Sequence, residues 1–376
     1  MSFPSCGEAR NMTAHEDDIR HMRHALGLAA RALGRVAPNP AVGCVIVTQS
    51  GRIAGRGWTQ PGGRPHAETV ALAQAGSLAR GSTVYVTLEP CSHHGQTAPC
   101  AEALIAAGVG RVVASLIDPD PRVNGEGFAK LQAAGIAVTK HVSEADARAL
   151  NAGFFNLQSE QRPLVALKIA ESADGFVADA SGKSRWITSE AARRHGHLLR
   201  AQHEVIMVGI GTVLADDPLL TCRLPGLQQR SPVRAVLDTK LRLPPTSQLA
   251  RTARETRVIV FTAEETGGDE LLALGVEIVR GRKDAQGRLE LDSVMAHLAP
   301  KTRILVEGGP TLTAALLNQG LADMVHIYRA PILLGEGSRS ALGVLDPGNL
   351  AAAPHLRLVS RETLGPDVLE SYEVTG

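Results

Sequence analysis

The stretch from His66 to Cys100 reads HAETVALAQAGSLARGSTVYVTLEPCSHHGQTAPC, and its chemistry decides the first half of the chain. It supplies one imidazole and two thiols at His66, Cys91 and Cys100, with a carboxylate at Glu68. Zinc takes imidazole nitrogen and thiolate sulfur, and a catalytic zinc site uses three protein ligands and keeps its fourth position for water. His66, Cys91 and Cys100 fit that requirement, and Glu68 is then free to move protons. A structural zinc needs a fourth protein ligand. His93 and His94 are the nearby candidates, and enlisting either leaves Glu68 without a purpose beside the metal. As loop residues the two histidines also read as surface groups or as contacts for a substrate phosphate.

The elements around this stretch alternate. Glu68 to Ala79 has helical character, so His66 and Glu68 stand at a helix start, where one can ligate while the other leans toward the metal's water. Thr83 to Leu88 is an apolar strand closed by Glu89-Pro90-Cys91. The loop to Pro99 leads into a helix over Ala101 to Ala107, and Cys100 at its start meets the positive end of the helix dipole, which favours a thiolate. Strands at Arg111 to Leu116 and Ile136 to Thr139 flank a helix over Gly127 to Ala134, and a closing helix runs from Glu144 to Leu157. Upstream, Thr13 and Glu16 form a capping box for a helix with Ile19, Met22, Leu26, Ala29 and Leu33 at helical spacing. Pro38-Asn39-Pro40 then forces an extended turn into a hairpin of Val42 to Thr48 with Arg52 to Gly57. This alternation is an α/β domain.

A second α/β pattern follows a polar linker at Gln158 to Pro163. Strands are expected at Leu164–Ile169, Glu204–Gly209, Val233–Leu237, Arg257–Phe261, Arg303–Val306 and Met324–Tyr328. Gly209-Ile210-Gly211-Thr212 follows a strand but lacks the third glycine of G-x-G-x-x-G, so it is no dinucleotide fingerprint by itself. Glu307-Gly308-Gly309-Pro310-Thr311 also follows a strand and opens a helix, a second place where backbone amides can meet a phosphate.

Size and charge agree with two enzyme-like domains. A chain of 376 residues exceeds one ordinary core. A formal net charge of +1 gives no electrostatic footprint for nucleic acid, and no apolar run approaches a membrane span. Met1 to Arg10 lacks the basic-then-apolar order of a signal peptide. Five scattered cysteines form no disulfide framework, which points to a reducing cytoplasm, and Cys6, Cys44 and Cys222 read as small packing residues.

With these motifs in view, the chain resembles the bifunctional riboflavin-biosynthesis deaminase–reductases. His66-Ala67-Glu68 and Thr87-Leu88-Glu89-Pro90-Cys91-Ser92-His93-His94-Gly95-Gln96-Thr97-Ala98-Pro99-Cys100 carry the likeness in the first half. The nine residues from Cys91 to Cys100, too wide for the usual P-C-x-x-C of zinc deaminases, are the spacing of that family. Ala98 stands where a proline is common. In the second half the likeness rests on Lys168 to Gly175, Gly209 to Thr212, Asp216 to Arg223 and Val306 to Pro310. The resemblance implies a cytidine-deaminase-like domain over 13–158 and a dihydrofolate-reductase-like domain over 163–376. It implies zinc and NADPH as cofactors and phosphoribosyl pyrimidines as substrates. Deamination of a diamino-hydroxy-phosphoribosylamino-pyrimidine would precede reduction of its ribosyl group to ribityl. It puts Asn39 in a substrate loop, and Ala170, Trp186, Thr212, Asp216, Thr239, Gly309, Pro310 and Thr311 beside NADPH. It puts Ser184, Arg200, Leu220, Arg223 and Glu307 beside the ribosyl phosphate, with Arg200 and Arg223 as anion clamps and Lys168 near the hydride acceptor. A deaminase whose second domain only binds nucleotide, or a zinc-stabilised binding module, are the competing readings. Self-association through the reductase domain is left open.

Overall fold

A computed structural model describes residues 14–93, 98–120, 123–184, 186–345, 348–349 and 352–375. Thr13 of the expected capping box, Cys6 and His94 lie outside them. The chain divides into two compact units, Met1–Gln158 and Ser159–Gly376.

In the first unit, helix α1 (Ala14–Ala29) precedes strands β1 (Gly43–Val47) and β2 (Ile53–Trp58). Helix α2 (Ala67–Ala75), strand β3 (Thr83–Val86), helix α3 (Cys100–Ala107) and strand β4 (Arg111–Ala114) follow. Helix α4 (Glu126–Ala133), strand β5 (Ala137–Thr139) and helices α5 (Glu144–Leu150) and α6 (Ala152–Ser159) complete it. The sheet order is β2-β1-β3-β4-β5, antiparallel among the first three strands and parallel among the last three. Glycines on the strands fix how closely the helices pack. A Cβ on Gly57 would lie 2.0 Å from the Ala67 carbonyl oxygen, and one on Gly55 2.1 Å from that of Ala71. Small residues on both sides therefore let the backbone of α2 rest directly on β2, and this contact holds the helix start at His66 in place.

The expected closing helix Glu144–Leu157 is two helices. The break falls at Asn151, whose carboxamide accepts from Ala41 N at 2.8 Å and donates to Ala41 O at 3.0 Å. A buried side chain that satisfies a distant backbone segment in both directions outweighs helix continuity there. Helix α6 also runs into the expected linker, to Ser159, because the polar residues Gln158 and Ser159 can still extend a helix.

The second unit begins with β6 (Leu164–Ser172) and β7 (Phe176–Ala178), then α7 (Glu190–Ala201), β8 (Val205–Gly209) and α8 (Ile210–Asp216). Strand β9 (Val233–Leu237), helix α9 (Gln248–Arg251), strand β10 (Val258–Thr262), helix α10 (Asp269–Ala273) and strand β11 (Glu277–Arg280) come next. Helix α11 (Leu291–Leu298), β12 (Arg303–Val306), α12 (Pro310–Asn318) and β13 (Met324–Ala330) lead to β14 (Arg339–Ser340), β15 (His355–Leu364) and β16 (Asp367–Thr375). The nine-stranded sheet runs β11-β10-β9-β8-β12-β6-β13-β16-β15, parallel from β11 to β13. Its central strands are apolar runs because both faces are covered. Strand β6 extends three residues beyond the expected end, to Ser172, and carries Lys168 and Ala170 within the sheet. The hairpin of β15 and β16 had no counterpart in the sequence pattern. Strand β15 is an edge strand, exposed nearly throughout, so no alternation of buried and exposed positions marks it.

Candidate active sites

The first site assembles at the start of α2 and α3. His66 caps α2 with extended backbone (φ −69°, ψ 160°), which leaves its ring free of the helix, and Glu68 follows in the first turn. Cys100 is the first residue of α3. The loop carrying Cys91 is tied to it, because Cys91 Sγ accepts from Cys100 N at 3.3 Å and Cys91 O accepts from Ala101 N at 3.2 Å. His66 Nδ1 lies 3.6 Å from Cys91 Sγ and 3.4 Å from Cys100 Sγ. A tetrahedral zinc with ordinary Zn–S and Zn–N bonds requires ligand edges of about 3.6 Å, so the donor set is already at coordination spacing and fits the metal. Among the described residues, these three alone form a metal-ready group, and His93 is not part of it. His93 Nδ1 is buried without a hydrogen-bond partner among the described residues.

Electrostatics in this corner are strongly coupled. A hydrogen bond from Cys100 holds the Cys91 thiol well below its usual range, with further help from His66. The bond to Cys91 raises His66. Burial pushes the Glu68 carboxyl up to about 7, and the Cys91 charge adds to that; Glu68 is 4% exposed and in hydrogen-bond contact with Cys100. A carboxyl titrating near neutrality beside a metal-ready cluster is suited to both taking and returning a proton.

Two supports were not legible beforehand. Glu89, 3% exposed, accepts four backbone N–H groups: Asp118 at 3.2 Å and Gly125 at 2.9 Å on Oε2, Gly127 at 2.9 Å and Phe128 at 3.4 Å on Oε1. It ties the residue pair before Cys91 to the start of α4, and only its adjacency to Pro90-Cys91 hinted at a role. Asn151 performs the same service for Ala41, next to the loop of Asn39. Asn39 itself donates to Val36 O at 3.1 Å and packs on Gly63, where a Cβ would sit 2.1 Å from its Nδ2.

The second site lies over the carboxyl ends of the parallel strands, where open α/β sheets bind ligands. Two cavities meet there. One, of about 560 Å³, is lined by Gly209, Gly211, Thr212, Asp216, Thr239, Gly309, Pro310 and Thr311 among others. The other, of about 610 Å³, takes in Lys168, Ala170, Trp186, Arg200, Leu220, Arg223 and Glu307. Ser184, Thr212, Asp216, Gly309 and Pro310 border both. Every second-domain residue that the resemblance puts beside cofactor or substrate thus lines one cavity or the other. Ala170 and Trp186, expected beside the dinucleotide, line the larger cavity with the substrate group.

Arg200 is not an open anion clamp. Its Nε and Nη2 grip Glu307 at 2.7 and 2.9 Å, and its Nη1 donates to Thr221 O at 3.0 Å. Lys168 Nζ stands 3.8 Å from the same carboxylate. Burial would raise the Glu307 carboxyl, but Arg200 and Lys168 outweigh it and hold it down at about 2. Burial lowers Lys168, against the pull of Glu307. Arg223 is exposed and has no ion-pair carboxylate among the described residues, and its backbone N donates to His197 Nδ1 at 3.4 Å. The loop before it is strained, with positive φ at Asp217 (39°) and Leu220 (55°). Buried Arg234 braces that loop by donating to Leu219 O at 3.2 Å. Neither His197 nor Arg234 carried a sequence signal.

A metal-ready His–Cys–Cys corner with a buried carboxyl beside it, joined in one chain to a dinucleotide-sized crevice beside a half-buried lysine, defines a two-domain enzyme of the zinc-deaminase and reductase classes. Residues 15–116 match the cytidine and deoxycytidylate deaminase zinc-binding region, and residues 163–369 match the RibD C-terminal domain. The riboflavin biosynthesis protein RibD of Escherichia coli is 43% identical over 93% of this chain and 98% of its own length. The solved RibD of Acinetobacter baumannii aligns with a TM-score of 0.83 at 38% identity, covering 96% of this chain and all of that one. The Thermotoga maritima diaminohydroxyphosphoribosylaminopyrimidine deaminase/5-amino-6-(5-phosphoribosylamino)uracil reductase aligns with a TM-score of 0.84 at 34% identity over the same shares. The chain belongs to the RibD family, the bifunctional deaminase–reductases of riboflavin biosynthesis.

Proposed function

We propose that the first unit deaminates a diamino-hydroxy-phosphoribosylamino-pyrimidine and that the second reduces the ribosyl group of the resulting uracil to ribityl with NADPH. The observation that carries the reading is the His66–Cys91–Cys100 cluster at zinc spacing with Glu68 buried against it. These three residues would hold zinc, which when bound makes water acidic enough to act as a nucleophile near neutral pH. Glu68 then takes a proton on its carboxyl oxygen and returns it to the ring nitrogen, and carries a second to the departing amino group. Asn39 and the turn packed on Gly63 orient the pyrimidine.

In the second unit, NADPH when bound would supply a hydride to C1′ of the ribosyl group. Opening the sugar leaves O4′ in need of a proton, and Lys168 Nζ is the half-buried amine at that end of the cavity. Arg223 is placed to hold the phosphate with a charge-assisted contact, while Glu307 and Arg200 fix Lys168. Thr212, Asp216, Thr239 and the amides after Gly309 line the dinucleotide's path, and Ala170, Trp186, Ser184 and Leu220 shape the wall against the sugar. Cys44, Cys91, Cys100 and Cys222 are all free thiols, which suits a cytoplasmic enzyme, and among the described residues no helix is long and apolar enough to cross a membrane. Self-association belongs to the reductase unit in this reading, since edge strand β15 leaves Leu356, Leu358 and Val359 exposed.

The test is an assay of both half-reactions on one preparation, with ammonia release from the diaminopyrimidine and NADPH oxidation with its deaminated product. Glu68→Gln keeps shape and removes proton transfer. It should cut ammonia release by ~10²–10⁴-fold and leave NADPH oxidation intact. Near-normal ammonia release would overturn the role of Glu68, and no NADPH oxidation by the wild type would overturn the reductase reading.

A further inference from the structure

We propose that Arg242 recognises the 2′-phosphate of NADPH and so sets the choice of this cofactor over NADH, an inference that rests on the reductase reading of the second unit. The strand order gives the cofactor a direction. Along the carboxyl ends, β6, β12, β8 and β9 follow one another. Lys168 on β6 and Glu307 after β12 mark the reacting end, in the larger cavity. The smaller cavity shares Ser184, Thr212, Asp216, Gly309 and Pro310 with it and continues past Gly209 after β8 to Leu237 and Thr239 at the end of β9. With the reacting end marked by Lys168 on β6, the adenosine belongs toward β9, three strand steps or about 14 Å along the sheet from it, beside Thr239 and Arg242.

The charges lining the smaller cavity single out this arginine. They are Asp216, Arg242, Asp284, Arg288 and Arg339. Asp216 lies at the shared end. Arg339 pairs with Ala178 across the short β7–β14 ladder and lies against Gly182, on the wall near Ser184. Arg288 is matched by Asp284 at 3.3 Å, and Asp284 is further held by the backbone amides of Gln286 and Arg288. Arg242 is half exposed, and its nearest carboxylate, Asp238, stands 3.9 Å from Nε, beyond hydrogen-bond range.

The turn that presents Arg242 is built rather than incidental. Asp238 is fully buried; its Oδ2 accepts from Leu243 N at 2.8 Å, and its backbone oxygen accepts from Leu241 N at 3.0 Å. Leu241 takes a left-handed conformation, φ 49°, which costs a non-glycine residue. A strained turn pinned by a buried carboxylate therefore aims a guanidinium at the far end of the cavity. A phosphate on the adenosine ribose would meet a planar cation able to bind two of its oxygens, while a bare 2′-hydroxyl would not engage its charge.

The experiment uses the full chain and two probes that differ only in this group, ADP-ribose and 2′-phospho-ADP-ribose, with binding measured by calorimetry. Wild type should prefer the phosphorylated probe by about 10–100-fold, the worth of one or two charge-assisted hydrogen bonds. In Arg242→Ala the ratio should collapse toward unity, Arg242→Lys should restore part of it, and Arg288→Ala should keep it. Steady-state kinetics should follow, with the NADH-to-NADPH ratio of KM values shrinking by the same factor in Arg242→Ala. An undiminished ratio in that variant, an equal loss of both probes, or a collapse in Arg288→Ala instead would overturn the assignment. Failure of the underlying reductase reading looks different: wild type would then bind neither probe and oxidise neither reduced nucleotide.

Discussion

Replacing Glu89 by Gln tests whether the zinc corner is held by the backbone cradle around one carboxylate. The substitution keeps size and shape but turns one acceptor oxygen into an N–H₂ donor. Four backbone N–H groups converge on the native carboxylate, two on each oxygen. Whichever oxygen is lost, two backbone donors then face another donor, both buried on Oε1 and one of the two buried on Oε2. An orphaned buried donor costs about 1–3 kcal/mol, so the pair costs about 2–6 kcal/mol, a large share of the ~5–15 kcal/mol that holds a domain. For a unit of this size about 2–4 °C is lost per kcal/mol, which puts the fall in the first unit's unfolding temperature at about 4–24 °C. The same cradle fixes Pro90-Cys91, so zinc should also leave the variant faster in the presence of a chelator. The measurements are thermal unfolding of the full chain, zinc release followed with a chromogenic chelator, and NADPH oxidation, which should be unchanged. Unfolding within about 2 °C of wild type together with unaltered zinc release would refute the cradle argument.

Cys91→Ser should lose zinc and deamination together while the reductase works, because the two units have separate apolar cores; metal analysis that finds full zinc occupancy rejects the ligand set. Gly309→Val should weaken NADPH binding without unfolding the second unit, since a Cβ there meets nothing nearer than Thr212 Oγ1 at 3.8 Å and points into free space. Arg223→Ala should raise KM for the phosphorylated sugar more than for NADPH, and a shift in the cofactor term alone would misplace the two ligands. Glu307 has its folded-state pKa depressed from 4.5 to about 2. Its contribution to stability is therefore present above about pH 4.5 and lost as pH falls toward 2. Acid unfolding of wild type should show that limb, and Glu307→Gln should lack it.

The zinc corner was readable because its parts are close in the chain: His66 and Glu68 share a helix start, and Cys91 and Cys100 bracket one loop. What holds the corner was not readable. Glu89 acts through amides at Asp118, Gly125, Gly127 and Phe128, and any residue offers an amide, so no side-chain pattern announces the partnership. Asn151 broke an expected helix for the same reason, since its partner is the backbone of Ala41. In the second unit the strand-to-turn glycines at Gly209 and Gly309 pointed to the crevice. The roles of Lys168, Arg200 and Arg223 came only from family resemblance, because they sit on a strand, a helix and a loop far apart in sequence. Strand β15 escaped because an exposed edge strand has no buried face to impose a period of two.

The pairing of Arg200 with Glu307 bears on how the proposed reductase site would work. Two arginines near a phosphorylated sugar suggest two clamps, yet one of them is spent on Glu307 and on Thr221 O. A carboxylate largely sheltered beneath the proposed phosphate site would repel substrate if it stood alone. Bound to Arg200 on one side and 3.8 Å from Lys168 on the other, it leaves the group with a net positive charge and supplies a rigid wall. It also decides the state of the lysine. Burial and the charge of Arg200 both drive Lys168 toward its neutral form, and Glu307 is the one influence that favours the ammonium. Removing the carboxylate would therefore leave Arg200 as a largely buried charge without its partner and take away the one influence that raises Lys168. In the proposed reaction Glu307 would favour the charged form of Lys168, and anchoring the phosphate would fall to Arg223.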